Sequence, residues 1–288
     1  MTATIVDGRA AAARIREEVA RGVERLERET GTRPGLATVL VGDDAASEIY
    51  VRNKRRVSAE VGIVDHHRHL SAGADQQEVA AVIEECNRDP AISGILLQLP
   101  VPQGLDGSSL TALIAPEKDV DGLTPISAGR LMQNTAGLRP CTPLGILELL
   151  DQHGVELEGA EAVVVGRSNL VGRPVAAMLE HRNATVTMCH SRTHDLPAVC
   201  TRADVLIAAV GVPRMIGPEH VRPRAAVIDV GINRTSDGLV GDVDFERVRE
   251  RAGLLTPVPG GVGPMTPAML LRNTLDAARL QLGDGAAD

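Results

Sequence analysis

Aromatic residues are almost missing from this chain of 288 residues: it has no Trp, one Phe (Phe245) and one Tyr (Tyr50). Its cores must therefore be filled by Val, Ile, Leu and Ala, which suits a β-branched parallel sheet covered by Ala-rich helices. The same shortage leaves no stacking platform for nucleic acid. Charge points the same way: 30 basic and 38 acidic residues give −8, with no Lys/Arg block, so nucleic acid is not an expected partner. A hydrophobic share of 43% and a charged share of 24% describe a folded globular chain, and the length suits two domains. No apolar run approaches the roughly 18 residues that span a bilayer, and the first seven residues lack a basic-then-apolar leader pattern. No membrane partner is expected. The cysteines (Cys86, Cys141, Cys189, Cys200) are scattered without a C-x-x-C, which suggests a reducing compartment, the cytoplasm, and no metal site.

The apolar pattern alternates between helix and strand. A helix is expected at 9–29, with Ile15, Val19, Val23 and Leu26 on one stripe, then a strand at 36–41 and a helix at 47–61 closed by Gly62. A polar strand follows at 64–70. Asp75-Gln76-Gln77-Glu78 opens a helix as a capping box, and a strand follows at 92–99. Residues 116–143 are dense in Pro, Gly and Asp and read as loops and turns. Thr142 caps a helix with Pro143 at its first position. A second alternation places strands at 161–165, 184–188, 204–210 and 225–230, helices at 174–182 and 195–202, and a last helix at 265–282. This is an α/β pattern with mostly parallel sheets in two domains joined near 141–154.

In the second half, a strand runs straight into Gly166-Arg167-Ser168-Asn169-Leu170-Val171-Gly172-Arg173-Pro174 and a helix. A glycine turn at that junction lets main-chain amides and the helix N-terminus meet a phosphate. The spacing is G-x-S-x-x-x-G rather than G-x-G-x-x-G, and an ordinary glycine turn in a βα unit is the alternative. After the next strand, where NAD-binding folds carry an acid for the ribose, the chain reads Cys189-His190-Ser191-Arg192-Thr193. Arg192 and Arg167 suit a 2′-phosphate, favouring NADP over NAD; two solvated arginines are the alternative.

In the first half, Tyr50 and Lys54 stand at i and i+4 on one helix face. Spacing alone favours simple packing there, a half-buried Tyr beside a snorkelling Lys. Gln98 ends an apolar strand, where α/β sheets carry ligands. Asp119-Val120-Asp121-Gly122 places carboxylates on a turn, with turn chemistry as the alternative. The tract from Pro257 to Pro264, with Pro259, Gly260 and Gly261, allows close main-chain approach to a ligand or serves as a stiff connector. His66, His67 and His69 lack a carboxylate at ligand spacing and read as a surface cluster. His190 and His194 lie in a loop, outside the helical two-histidine pattern.

The strings Tyr50-Val51-x-x-Lys54, Gly94 to Pro100, Lys118-Asp119-Val120-Asp121-Gly122, Pro140-Cys141-Thr142-Pro143, Gly166-Arg167-Ser168 with Val171-Gly172, His190 to Thr193, Asp229 to Ile232 and Pro257 to Thr266 occur in this order. In these the chain resembles the bifunctional methylenetetrahydrofolate dehydrogenase/methenyltetrahydrofolate cyclohydrolase family over nearly its whole length. The resemblance implies two α/β domains with a cleft between them, the second a Rossmann-like dinucleotide-binding domain. Residues 1–140 with the last helix, 267–288, would bind folate and catalyse, and residues 141–266 would bind NADP. A hydride would pass from 5,10-methylenetetrahydrofolate to NADP, and the methenyl product would be hydrolysed to 10-formyltetrahydrofolate. It implies Lys54 as the principal catalytic residue, Gln98 as its neighbour, Tyr50 as a stacking surface and Asp121 as the pterin-binding carboxylate, all four counted as catalytic. Pro259, Gly260 and Gly261 join the substrate site. Thr142, Gly166, Arg167, Ser168, Gly172, Ser191, Arg192, Gly211 and Ile232 would meet the cofactor. A cytoplasmic homodimer is implied.

Lysine suits the hydrolytic step because a desolvated ammonium beside a cationic product gives up its proton more readily. Asp121 offers two acceptors to the adjacent N–H donors of a 2-amino-pyrimidinone. The chain departs from many relatives at Ser58, at Leu123-Thr124-Pro125-Ile126-Ser127, at Leu144 and at Pro267. Open alternatives are a weak cyclohydrolase, NAD preference, a shikimate-type dehydrogenase and a non-catalytic folate or NADP sensor.

Overall fold

The computed structural model describes residues 2–236 and 238–283. The chain opens with a short strand β1 (Thr4–Ile5) and helix α1 (Gly8–Thr30). There follow β2 (Gly35–Val41), α2 (Ala45–Glu60), β3 (Val64–Asp65), β4 (Arg68–Leu70), α3 (Gln76–Arg88), β5 (Gly94–Leu97), α4 (Gly107–Thr111), α5 (Pro125–Met132) and α6 (Cys141–Gln152). The second half holds β6 (Glu161–Val165), α7 (Gly172–His181), β7 (Thr185–Cys189), α8 (Leu196–Cys200), β8 (Val205–Ala208), β9 (Ala226–Asp229), the hairpin β10 (Asn233–Thr235) and β11 (Gly238–Val240), α9 (Phe245–Val248), β12 (Leu254–Leu255) and α10 (Met265–Gln281).

Contacts divide the chain into two compact units. One takes the chain up to Ala13 together with Thr142–Thr266, the other Arg14–Cys141 and the chain from Pro267 onward. In the Arg14–Cys141 unit, β2 is central, pairing in parallel with β3 and β4 on one side and β5 on the other. Every residue of β2 and β5 is buried, as a parallel sheet covered on both faces demands. The core against this sheet is aliphatic, built from Ala37, Val39, Val41, Val79, Ile83, Ile92, Ile95 and Leu97 among others. The stripe Ile15, Val19, Val23 and Leu26 of α1 is buried too. Helix α10 is tied to this unit at its middle and its last residue: Arg272 pairs with Glu18 at 3.0 Å, and Gln281 Nε2 donates to Ser93 O at 2.8 Å and Glu117 O at 3.0 Å.

The Thr142–Thr266 unit has a six-stranded sheet in the order β1-β12-β9-β8-β6-β7, parallel throughout. Its first strand comes from the start of the chain: Thr4 and Ile5 pair with Leu254 and Leu255. The chain's first 13 residues therefore group with the second half rather than with 14–140, because a strand too short to stand alone completes this sheet edge.

Three local expectations change. The polar strand at 64–70 is broken, because the ring of His67 meets Thr38, its Nδ1 3.0 Å from both Thr38 O and Thr38 Oγ1. The stretch 116–143 contains a full helix, α5, where Thr124 caps Ser127 N–H at 3.1 Å and Pro125 takes the first position. Helix α6 already starts at Cys141, so Thr142 is not its cap; its hydroxyl lies 2.8 Å from that of Thr266. The capping box at Asp75 forms as expected, with Asp75 accepting from Gln77 and Glu78.

Candidate active site

Helix α2 is fixed at its start by Asp44, which accepts from Ser47 N–H at 2.8 Å. Val51, Val57 and Ser58 are buried, so this face turns inward and carries Lys54 with it. The Ser58 hydroxyl donates to Lys54 O at 2.9 Å. Lys54 Nζ donates to Gln98 Oε1 at 3.1 Å. Gln98 follows the last residue of β5; its main-chain N–H bonds Val39 O at 2.9 Å and its Nε2 donates to Leu99 O at 2.7 Å. With the amide nitrogen held by a carbonyl, the amide oxygen is the end that faces the lysine. Tyr50, one turn before Lys54, is 48% exposed and offers an open ring.

Asp121 sits on a turn built by its own neighbours. Asp119 is fully buried and accepts from Leu123 N–H at 3.1 Å and Thr124 N–H at 2.8 Å. Gly122 has φ +66°, and a Cβ there would meet the main chain of Arg139 and Pro140. Burial pushes the Asp121 carboxyl above the usual carboxylate range, while the ammonium of Lys54 and the thiol of Cys141 pull it down. Burial also drives the Cys141 thiol well up, and the Asp121 carboxylate beside it adds to this. Lys54, Gln98 and Asp121 thus share one charged, partly buried corner.

The other unit gathers main-chain loops at the C-terminal ends of neighbouring parallel strands, where ligands bind in such sheets. After β6, Gly166 has φ +125°, and a Cβ on it would run into the carbonyl oxygen of Ala209. A Cβ on Gly172 would run into Gly166 O. Ser168 Oγ accepts from Val171 N–H at 3.2 Å and Gly172 N–H at 3.3 Å. Arg167 and Ser168 are exposed, as are Ser191 and Arg192 after β7. Gly211, after β8, has φ +69°, and Ile232, after β9, is exposed. A cradle that only glycine fits, followed by a helix start and flanked by exposed arginines, fits a dinucleotide phosphate.

Two buried carboxylates brace these loops: Asp229, which the sequence marked only as part of a family string, and Asp242, which gave no sequence signal. Asp242 accepts from Val210 N–H at 2.7 Å, Gly211 N–H at 2.9 Å and Asn233 Nδ2 at 2.9 Å. Asp229 accepts from Gly231 and Asp242 N–H, both at 2.9 Å, and from Val243 N–H at 3.0 Å. Burial raises the Asp229 pKa to about 6, against the opposing pull of these N–H donors. Pro259, Gly260 and Gly261 lie in this unit, apart in the chain division from Lys54, Gln98 and Asp121. The Val258–Pro259 peptide is cis and Gly260 has φ +110°. A Cβ on Gly8 would run into Gly261 O, so this tract lies tightly against the start of α1. Asp119 takes the turn role read as its alternative, while Asn273, whose partners lie far away in sequence, was missed because no spacing rule exposes it.

Comparison with known proteins matches both halves of the chain to one family, with bounds that follow the chain order and so differ from the contact division at residues 6–13 and in α10. Residues 6–121 match the tetrahydrofolate dehydrogenase/cyclohydrolase catalytic domain, and residues 140–282 match the NAD(P)-binding domain of the same family. The bifunctional protein FolD 2 of Frankia alni is 63% identical over 279 residues, covering 97% of each chain. The FolD protein of Moorella thermoacetica is 54% identical, over 97% of this chain and all of its own. The crystal structure of the bifunctional FolD enzyme of Campylobacter jejuni superposes with a TM-score of 0.94 at 43% identity, covering 96% of this chain and 99% of that one. The Trypanosoma brucei dehydrogenase-cyclohydrolase, solved with NADP and an inhibitor, gives a TM-score of 0.92 at 38% identity, covering 98% and 99%. The chain belongs to the tetrahydrofolate dehydrogenase/cyclohydrolase family, the bifunctional enzymes that oxidise methylenetetrahydrofolate and hydrolyse its methenyl product in one-carbon metabolism.

Proposed function

We propose that Lys54 is the proton-transfer group of the hydrolytic step and that Asp121 reads the pterin. Asp121 accepts from the paired N–H donors of the 2-amino-pyrimidinone, a bidentate match. The exposed ring of Tyr50 stacks with the substrate. Gln98 holds the Lys54 amine in place through its amide oxygen. Lys54 takes a proton from the attacking water and delivers one to the departing nitrogen as 5,10-methenyltetrahydrofolate opens to the 10-formyl product. Pro259, Gly260 and Gly261 complete the substrate site with main-chain groups.

Thr142, Gly166, Arg167, Ser168, Gly172, Ser191, Arg192, Gly211 and Ile232 hold the cofactor, and the two arginines make it NADP rather than NAD. Bound NADP supplies the hydride acceptor. No protein acid or base is needed there, so orientation of the reactants carries that step. The Arg14–Cys141 unit is assigned the folate chemistry and the Thr142–Thr266 unit the cofactor. A cytoplasmic homodimer is proposed on the family likeness; among the described residues no helix is long and apolar enough to cross a membrane.

The observation that carries this reading is the Lys54–Gln98 hydrogen bond of 3.1 Å beside the Asp121 carboxylate. Lys54→Ala, given 5,10-methenyltetrahydrofolate directly, should hydrolyse it about 10²–10⁴-fold more slowly. Full hydrolysis by that variant would remove Lys54 from the role.

A further inference from the structure

The turn bearing Asp121 is held from a distance as well as from within. Val120 O, the carbonyl just before Asp121, accepts from Asn273 Nδ2 at 2.7 Å and from Cys141 Sγ at 3.2 Å. The same Nδ2 donates to Arg139 O at 2.8 Å and lies 3.6 Å from Cys141 Sγ. An amide nitrogen has two hydrogens, and here the two acceptors are carbonyls of segments 153 and 134 residues earlier in the chain. Two carbonyl partners also fix which end of the amide is nitrogen.

Nothing in helix α10 itself asks for asparagine at this point. Asn is a mediocre helix former, and Leu270, Leu271 and Leu275 around it are buried and apolar. Asn273 is only 3% exposed, and a buried amide without partners is costly. What it does is clip the Asp121 turn to the strand of chain that enters α6. A bidentate match between carboxylate and pterin tolerates displacements of only about half an ångström, so the placement of Val120 governs how well Asp121 binds.

We propose that Asn273 is a positioning residue for substrate binding: by joining Val120 O to Arg139 O, it sets the direction of the Asp121 carboxylate toward the pterin. This rests on the reading of Asp121 given above. The return of the chain's last helix to the Arg14–Cys141 unit then has a functional consequence, since it delivers this amide.

The test is a double-mutant cycle with Asp121→Ala and Asn273→Asp, using 5,10-methenyltetrahydrofolate as substrate. Asn273→Asp keeps the shape and replaces the double donor with acceptors. In the wild-type background it should raise KM about tenfold with kcat within about threefold, and NADP+ affinity should be unchanged. In the Asp121→Ala background it should add less than about twofold to KM, because the group it positions is gone. An unchanged KM in the wild-type background, or the same tenfold rise in the Asp121→Ala background, overturns the proposal for Asn273 while leaving Asp121 in place. An unchanged KM for Asp121→Ala alone overturns the Asp121 reading itself and the Asn273 proposal with it. Should Asn273→Asp not fold, Asn273→Ser retains one donor and should show the same pattern with a KM rise of about threefold.

Discussion

Lys54 and Gln98 stand 44 residues apart in the chain and meet through their side chains, whereas Gly166 and Gly172 belong to one loop and meet through their main chains. The first arrangement makes a reactive corner: an ammonium, an amide and a carboxylate, partly stripped of water and held by buried neighbours. The second makes a loop where missing Cβ atoms let main chains approach closely, beside exposed arginines that we assign to a cofactor phosphate. The difference follows the chemistry each half serves. Ring opening needs a proton moved at a defined atom, while hydride transfer needs only a cofactor held in orientation. Two kinds of construction in one chain therefore imply that damage to one leaves the other working.

Of the buried carboxylates bracing the cofactor-side loops, Asp229 should make stability depend on pH. Asp229 accepts only from main-chain donors among the described residues, and burial, with the charge of neighbouring Asp242 adding to it, raises its pKa to about 6 from about 3.9 in an unfolded chain. The folded state therefore holds the proton more tightly than the unfolded state. The stabilisation is complete below about pH 4 and is lost as pH rises through about 6. Relative to Asp229→Asn, the wild type should lose about 2 kcal/mol of stability between pH 4 and pH 7, measured from urea midpoints. A difference that stays flat over this range would mean that the ionised carboxylate is at home in its nest of N–H groups.

Gly166→Ala attacks the glycine loop directly. A side chain there needs φ +125° and the space occupied by Ala209 O, a conformation essentially reserved for glycine. The expected cost is on the order of 1–3 kcal/mol of stability. NADP+ affinity should weaken at least about tenfold as the loop shifts, while hydrolysis of added 5,10-methenyltetrahydrofolate stays near wild type. Loss of both activities in a protein that remains folded would break the comparison.

The smallest effect belongs to the exposed arginines. Arg192→Ala should lower the preference for NADP+ over NAD+ about tenfold through loss of one charge-assisted contact, and the remaining preference should be less sensitive to salt. Equal loss with both cofactors would show that Arg192 serves the fold of its loop and not the 2′-phosphate.

The two sites also differed in how plainly the sequence displayed them. A glycine turn between strand and helix announces itself locally, and Gly166 and Gly172 stand where that pattern puts them. Lys54 gives no such sign: four residues after Tyr50 on a helix, it looks like an ordinary amphipathic face, and only the set of family motifs marks it as reactive. Asn273 is less visible still, because its partners Val120 and Arg139 are brought to it by the fold alone. Helix α5 shows the reverse case. Thr124-Pro125 is the same cap-and-proline signature that was credited at Thr142-Pro143, yet the surrounding Pro, Gly and Asp concealed it; at Thr142 the signature was present but α6 had already begun at Cys141.

The most direct measurement is calorimetric titration of NADP+ into Lys54→Ala enzyme whose hydrolysis of 5,10-methenyltetrahydrofolate has been lost. A side chain that acts only in the proton-transfer corner leaves cofactor affinity alone, so a dissociation constant within about twofold of wild type is expected. A dissociation constant weakened about tenfold or more would contradict it, and would mean that Lys54 supports the cofactor site as well as the chemistry.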